Sequence, residues 1–176
     1  MSDPRAPRVV PAPRIFISHS AHEPEARQLL KKIAAGLKKA GFVVLLDRKR
    51  LKAGSEWRPE IYTWMGLCHG AVVLLSPSAL RPESWVSTEA TILRWRKALD
   101  PRMELVPILL PPVTHRELKG GPLGRIAINE IHAARGAAAL VSDLKKRFRP
   151  LVHSLPETTL QDWVQVVAKA VEDAEG

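Results

Sequence analysis

Short, continuously apolar runs that alternate with amphipathic stretches of helical period predict an α/β fold, a five-stranded parallel sheet with helices on both faces. Two observations carry this. The runs at 14–18, 42–46, 71–75 and 105–110 lack the in-out alternation of a half-exposed strand, and each is followed by helix or loop signals rather than a hairpin turn. Strands buried on both faces and joined by crossover helices are what a parallel sheet requires. A length of 176 residues suits one such domain with a full core.

Met1 to Pro13, with four prolines, two arginines and no periodicity, reads as a disordered arm. Arg14 to Ser18 is then the first strand, ended by the polar trio Ser18-His19-Ser20. Pro24 suits a first helical turn, and Ala26, Leu29, Leu30, Ile33, Ala34 and Leu37 form a stripe that Gly41 terminates. Phe42 to Leu46 reads as a second buried strand ending at Asp47. The following Arg48-Lys49-Arg50-Leu51-Lys52-Ala53-Gly54 has no apolar pattern and reads as a mobile loop. The next helix starts near Ser55 or Glu56, because Pro59 is tolerated only in a first turn. Its apolar residues are Trp57, Ile61, Trp64, Met65 and Leu67.

Ala71 to Leu75 is the third strand, ending at Ser76, and Pro77 bars its continuation. A helix opens near Ser84 and runs to about Leu99. Leu105 to Leu110 is a fourth strand, for which Pro107 argues an irregular or edge position. Pro111, Pro112, Gly120, Gly121, Pro122 and Gly124 mark a loop, and a short fifth strand is expected at 126–131. Helices over 138–152 and 158–174 complete the chain. Residues 14–155 thus form the expected domain, with 156–176 as an additional helix or linker. The count of strands suits the flavodoxin-like order 2-1-3-4-5, in which ligands bind beyond the carboxyl ends of strands 1 and 3.

Composition narrows the function classes. The chain is 45% hydrophobic and 26% charged, as a globular protein is. One cysteine, Cys68, leaves neither a disulfide framework nor a Cys-based zinc site, and fits a reducing cytoplasm. No apolar run approaches the roughly 20 residues that span a bilayer. A net charge of +9 invites a nucleic-acid reading, but the basic residues are spread along the chain and aromatics are only 5%, which ranks it low. His19 and His22 lack a third ligand in sequence reach, so no metal site is expected. There is no Gly-x-Gly-x-x-Gly or Gly-Lys-Ser/Thr, and the paired acids of a receiver domain are missing from the strand ends.

The stretch that stands out is Ser84-Trp85-Val86-Ser87-Thr88-Glu89. Trp85 and Glu89 are four apart, which puts indole and carboxylate on one helical face, without a basic residue three or four positions away. Burial disfavours the charge of such a carboxylate, while the nearby helix N-terminus favours it. A glutamate at the rim of an amphipathic face would look the same. What favours a site is place, because Ser18-His19-Ser20 and the segment from Ser76 to Glu89 both leave the strand ends that the topology nominates.

Ile15-Phe16-Ile17-Ser18-His19-Ser20, Gly41 to Asp47, Leu51 to Gly54, Val72 to Leu80 and Ser84 to Glu89 resemble, in order and spacing, the boxes of Toll/interleukin-1 receptor (TIR) domains of the bacterial NAD-cleaving type. The match is strong from about Arg14 to Leu110. The resemblance implies cleavage of the nicotinamide-ribose bond of NAD+, which is the substrate, with no further cofactor, and with Glu89 as catalytic residue and Trp85 as its companion. It implies a dinucleotide pocket that uses Ser18, His19, Ser20, Asp47 and Ser76, and an assembly loop at Arg48 to Gly54 through which TIR domains associate. Trp57 beside that loop serves either ligand stacking or packing; Trp64 and Trp95 read as core or interface residues. Some enzymes of the family carry basic residues where this chain has His19 and Ser20, which leaves the phosphate contacts open.

The implied role is an immune or cell-suicide effector in the cytoplasm, with room for a further domain or partner after Gly176. One carboxylate suffices for the chemistry, because nicotinamide in NAD+ is already cationic and leaves neutral, whereas a neutral glycoside needs a second carboxyl to protonate its leaving oxygen. The rival readings are a non-catalytic TIR scaffold and a nucleoside ribosyl-transfer enzyme on a similar fold.

Overall fold

The computed structural model describes residues 11–20, 22–46, 58–126 and 131–175. β1 (Arg14–Ser18), β2 (Val43–Leu45), β3 (Gly70–Leu75) and β4 (Glu104–Leu109) run parallel in spatial order 2-1-3-4. Of the short fifth strand expected at 126–131, residues 127–130 lie outside the described residues. Ile126 instead closes a short helix, α4 (Pro122–Ile126), and only β5 (Ile131–His132) pairs with β4, at Ile108 and Leu109. Gly124 fixes this turn, since a Cβ there would lie 2.2 Å from the carbonyl oxygen of Leu118. The expected loop at 111–124 also holds a 3-10 turn at His115–Leu118, which Thr114 and Glu117 cap reciprocally.

α1 (Pro24–Lys39) and α5 (Ala137–Phe148) cover one face of the sheet. α2 (Arg58–Leu67), α3 (Val86–Leu99), α4 and α6 (Glu157–Glu175) cover the other. Side chains alternate accordingly. Ile15, Ile17, Val72 and Leu74 enter the α1/α5 core, while Phe16, Ala71, Val73 and Leu75 enter the α2/α3 core. Pro24 and Pro59 each sit in a first turn as expected.

Two expectations about β2 and α5 are corrected. β2 is an edge strand rather than a buried one, and Val43 is 45% exposed because only β1 flanks it. α5 ends at Phe148 instead of Val152, since Pro150 has no N–H with which to continue it. Trp95 is 50% exposed and lies under Arg94, while Trp64 packs against the α2/α3 core.

α6 is held along its whole length. Leu160, Val164 and Ala168 are buried. Gln161 donates to the Thr63 carbonyl, and Gly66 allows the helices to approach, for a Cβ there would lie 3.1 Å from the Gln161 Cα. At the N-terminal edge of the sheet a polar knot joins β1, α2, α3 and α6 with the connections that precede β3 and α6. The Arg96 guanidinium, fully buried, donates to Asp100 at 3.1 Å, to the Cys68 carbonyl at 2.8 Å and to His153 Nδ1 at 3.3 Å. Asp100 accepts from the backbone and hydroxyl of Ser154. Arg14 donates to the Leu67 carbonyl, to Glu157 and, through its backbone N–H, to His69 Nδ1.

His69 and His153 stack within this knot, ring centroids 4.0 Å apart. Burial, then the repulsion that a second positive charge would meet from a protonated His153 and from Arg14, pushes His69 down to about 4, and burial with the Arg96 charge lowers His153, so the neutral form of each ring is favoured. The unfolded chain takes up a proton at His69 near its ordinary 6.5, which the folded chain refuses until about 4. This stability is thus full above pH 6.5 and is lost as pH falls toward 4. Melting temperature measured against pH is expected to fall across that window, and His69→Gln to flatten the fall. An equal slope in the variant would locate the titration elsewhere.

Candidate functional site

At the opposite, carboxyl edge, the ends of β1 and β3 are tied to each other. Ser76 donates to the Ser20 carbonyl at 3.2 Å, lies 3.0 Å from Ser78 Oγ, and caps the 3-10 turn Pro77–Leu80 by accepting from Ala79 N. Glu23, just before α1, accepts from Ser78 N and Ser78 Oγ, both at 2.8 Å. Burial works to raise its carboxyl, but these hydrogen bonds outweigh it and the pKa falls below the ordinary carboxylate value. Ser18 is fully buried, its Oγ has no hydrogen-bond partner among the described residues, and strand alternation aims it to the Phe16 side, the layer of α3.

α3 begins in that layer. Trp85 is its N-cap residue, half-buried, and its carbonyl accepts the first helical bond from Glu89 N at 3.0 Å. Glu89 is 2% exposed, in the first turn, where the helix dipole favours a carboxylate. The Arg58 guanidinium, from the first residue of α2, lies over the Trp85 ring 3.7 Å from its centroid. α6 reaches the same place with its last turn: Glu172 accepts from Tyr62 and pairs with Arg58 at 3.5 Å, and Glu175 accepts from Thr88 at 2.8 Å. A cavity of about 380 Å³ opens beside Trp85, Ser87, Thr88 and Glu175. Glu89 is not among its lining residues.

The family model described as TIR domain matches residues 15–139. The chain belongs to the TIR family. No curated protein matches it in sequence. Among solved structures, the TIR domains of the activated Roq1 resistosome, which directly recognises the pathogen effector XopQ, superpose with a TM-score of 0.50 at 18% identity. That match covers 90% of this chain and 84% of the other. A TIR-STING receptor from C. gigas gives 0.49 at 21% identity, covering 80% of this chain and 41% of the receptor. The CMP N-glycosidase BcmB of Clostridium botulinum gives 0.45 at 12%, covering 76% and 98%.

In this TIR domain, Ser18, His19, Ser76 and Glu89 are buried at the carboxyl edge, Ser20 is half-buried beside them, and the Ser76 hydroxyl is engaged in joining strand ends. Asp47, Trp57 and the whole loop from Arg48 to Gly54 lie outside the described residues. No cluster of three metal-ligating side chains occurs among the described residues, and no described helix is long and apolar enough to cross a membrane. Cys68 is buried core, its thiol pushed up to about 11 by burial.

Sequence reasoning missed Glu23, Arg58, Glu172 and Glu175. The one usable signal was Glu23 before Pro24, an acidic residue at a helix start beside the nominated strand ends. A second cavity, about 660 Å³, lies on the α1 side between Ala26, Leu29, Leu110 and Pro112. It is larger than the cavity at Trp85, but Glu23 at its mouth is fixed by Ser78 and its lining is chiefly apolar, so the chemistry-bearing groups are on the α3 side. Because Trp85 is only half-buried, Trp85→Ala is expected to cost about 1–3 kcal/mol, less than the 3–5 typical of a fully buried aromatic. Urea denaturation measures this, and a cost at the upper limit would mean that the indole is core rather than cleft.

Proposed function

We propose that this TIR domain is an NAD+ nucleosidase with Glu89 as its catalytic residue. The observation that carries the reading is a carboxylate 2% exposed in the first turn of α3, one helical turn beyond an indole, at the sheet edge where α/β folds bind ligands. In the reaction the bond from ribose C1′ to the nicotinamide nitrogen breaks, and its electron pair leaves with nicotinamide, which becomes neutral. Water adds to C1′ and loses a proton to give ADP-ribose; attack by a group of the same molecule gives a cyclic isomer instead. Glu89 holds ribose hydroxyls and stabilises the oxocarbenium-like charge that develops at C1′. A carboxylate does this best where water is sparse.

Ser18, His19 and Ser20 form the β1 side of the pocket and Trp85 a wall, and Asp47 and Trp57, which lie outside the described residues, are assigned as further substrate contacts by family resemblance. Ser76 contributes by fixing Ser20. The Glu89 carboxylate is covered in the described state, so substrate entry requires movement beside it. We attach that movement to self-association through Arg48 to Gly54, a heterologous contact between protomers that can propagate. The cellular role that follows is an immune or cell-suicide effector.

Glu89→Gln is expected to lower nicotinamide release from NAD+ by about 10²-fold or more while leaving melting temperature unchanged or raised. A stable variant that keeps most of the activity would remove Glu89 from the mechanism. A scaffold without catalysis would self-associate yet release no nicotinamide, and a nucleoside ribosyl-transfer enzyme would act on free nucleosides. Specific activity is expected to rise with protein concentration, followed over a wide dilution series with light scattering. Constant activity in a species that stays monomeric would show a site complete in one chain.

A further inference from the structure

The reading above needs a group to receive the ligand's phosphates, and the described carboxylates around α3 oppose one. Glu83, Glu89, Glu172 and Glu175 all lie at or beside its first turn. Arg58 is a cation set among them, its guanidinium carbon 3.7 Å from the centroid of the Trp85 ring. An arginine stacked on an aromatic presents its edge as a planar fork, the geometry that phosphate oxygens match.

We propose that Arg58 is the phosphate-binding residue of this cleft and that Glu172, in the last turn of α6, holds it until a phosphate-bearing nucleotide takes it over. This rests on the nucleosidase reading for the identity of the ligand, but not for the exchange itself. The hold is weak enough to yield. Arg58 Nη1 is 3.5 Å from Glu172 Oε1, and the two side chains are 44% and 36% exposed, as in surface pairs that add little stability. Glu172 also keeps a partner when Arg58 leaves, because the Tyr62 hydroxyl donates to the same oxygen. Burial and that bond raise the Tyr62 pKa, so it remains a donor at any ordinary pH. Both ends of the exchange are thereby satisfied, and α6 sets the affinity of the cleft.

The test titrates the full chain with inorganic pyrophosphate, the phosphate portion of the dinucleotide, by calorimetry and without turnover. Arg58→Gln is expected to weaken binding about tenfold or more. Glu172→Gln is expected to tighten it about two- to fivefold, the range that release of an exposed ion pair allows. Asp173→Asn, which changes the same charge one residue away on an acid paired to Lys169, is expected to leave it within twofold. The double variant of Arg58 and Glu172 is expected to match Arg58→Gln alone. Should Glu172→Gln fold poorly, Glu172→Ala carries the same expectation. Three results would each overturn the exchange: no binding in the parent, no tightening on loss of Glu172, or equal tightening when Arg58 is already gone. A chain that binds pyrophosphate as described but never releases nicotinamide would refute the nucleosidase reading and leave this one standing.

Discussion

The structure depends on one buried cation. Arg96 sits in the last turn of α3 with no exposed surface, and an unpaired guanidinium there would cost several kcal/mol. It is stabilised by Asp100 one turn on and by carbonyls at the end of α2, Cys68 at 2.8 Å and Gly66 at 3.4 Å, where the α2 dipole is negative. The same Asp100 takes both donors of Ser154, so the connection into α6 is fixed by the charge that also fixes α3. Well-packed apolar groups in place of a buried ion pair often match its stability, but they do not specify the same geometry, because no apolar contact distinguishes one carbonyl from another.

A helix pinned at its last turn delivers its first turn to a defined place. α3 starts ten residues before Arg96, at Val86, and so carries its first turn about 15 Å from that residue, to the carboxyl edge of the sheet. Trp85 and Glu89 are thus positioned from below by the knot and from beside by the buried Val86, Ala90 and Leu93. The arrangement puts the polar groups that specify the fold at one edge of the sheet and those of the candidate site at the other. Apolar side chains of both cores separate them.

What the residues disclosed in advance follows from this division. β1, β3 and α3 were legible because their apolar periods are unambiguous, and Trp85 with Glu89 because their segment leaves the strand end that the topology nominates for ligands. Arg96 and Asp100 were not, since an arginine four residues before an aspartate reads as an ordinary exposed pair; its burial is decided by Gly66, Cys68 and His153, far away in sequence. Arg58 was hidden for a similar reason, since its partners Trp85 and Glu172 are 27 and 114 residues distant. β2 misled because an edge strand and a central one share the same apolar composition. The fifth strand starts later than expected, because Ile126 closes a helical turn that Gly124 packs against Leu118, and Ile131 and His132 are the described residues that pair with β4.

α6 joins the two edges. Its first residue, Glu157, accepts from Arg14 in the knot, and its last described turn reaches Thr88, Tyr62 and Arg58 beside the cleft. Between those ends Leu160, Val164 and Ala168 are buried, and Gly66 lets the helix lie close to α2, so the element acts as a rigid strut rather than an appended tail. In the proposed exchange at Arg58, a strut seated this way needs only its last turn to change partners, while the buried contacts below hold the helix axis fixed. The helix lies beyond residues 15–139, the extent of the family match, yet it is held against the first turns of both α2 and α3.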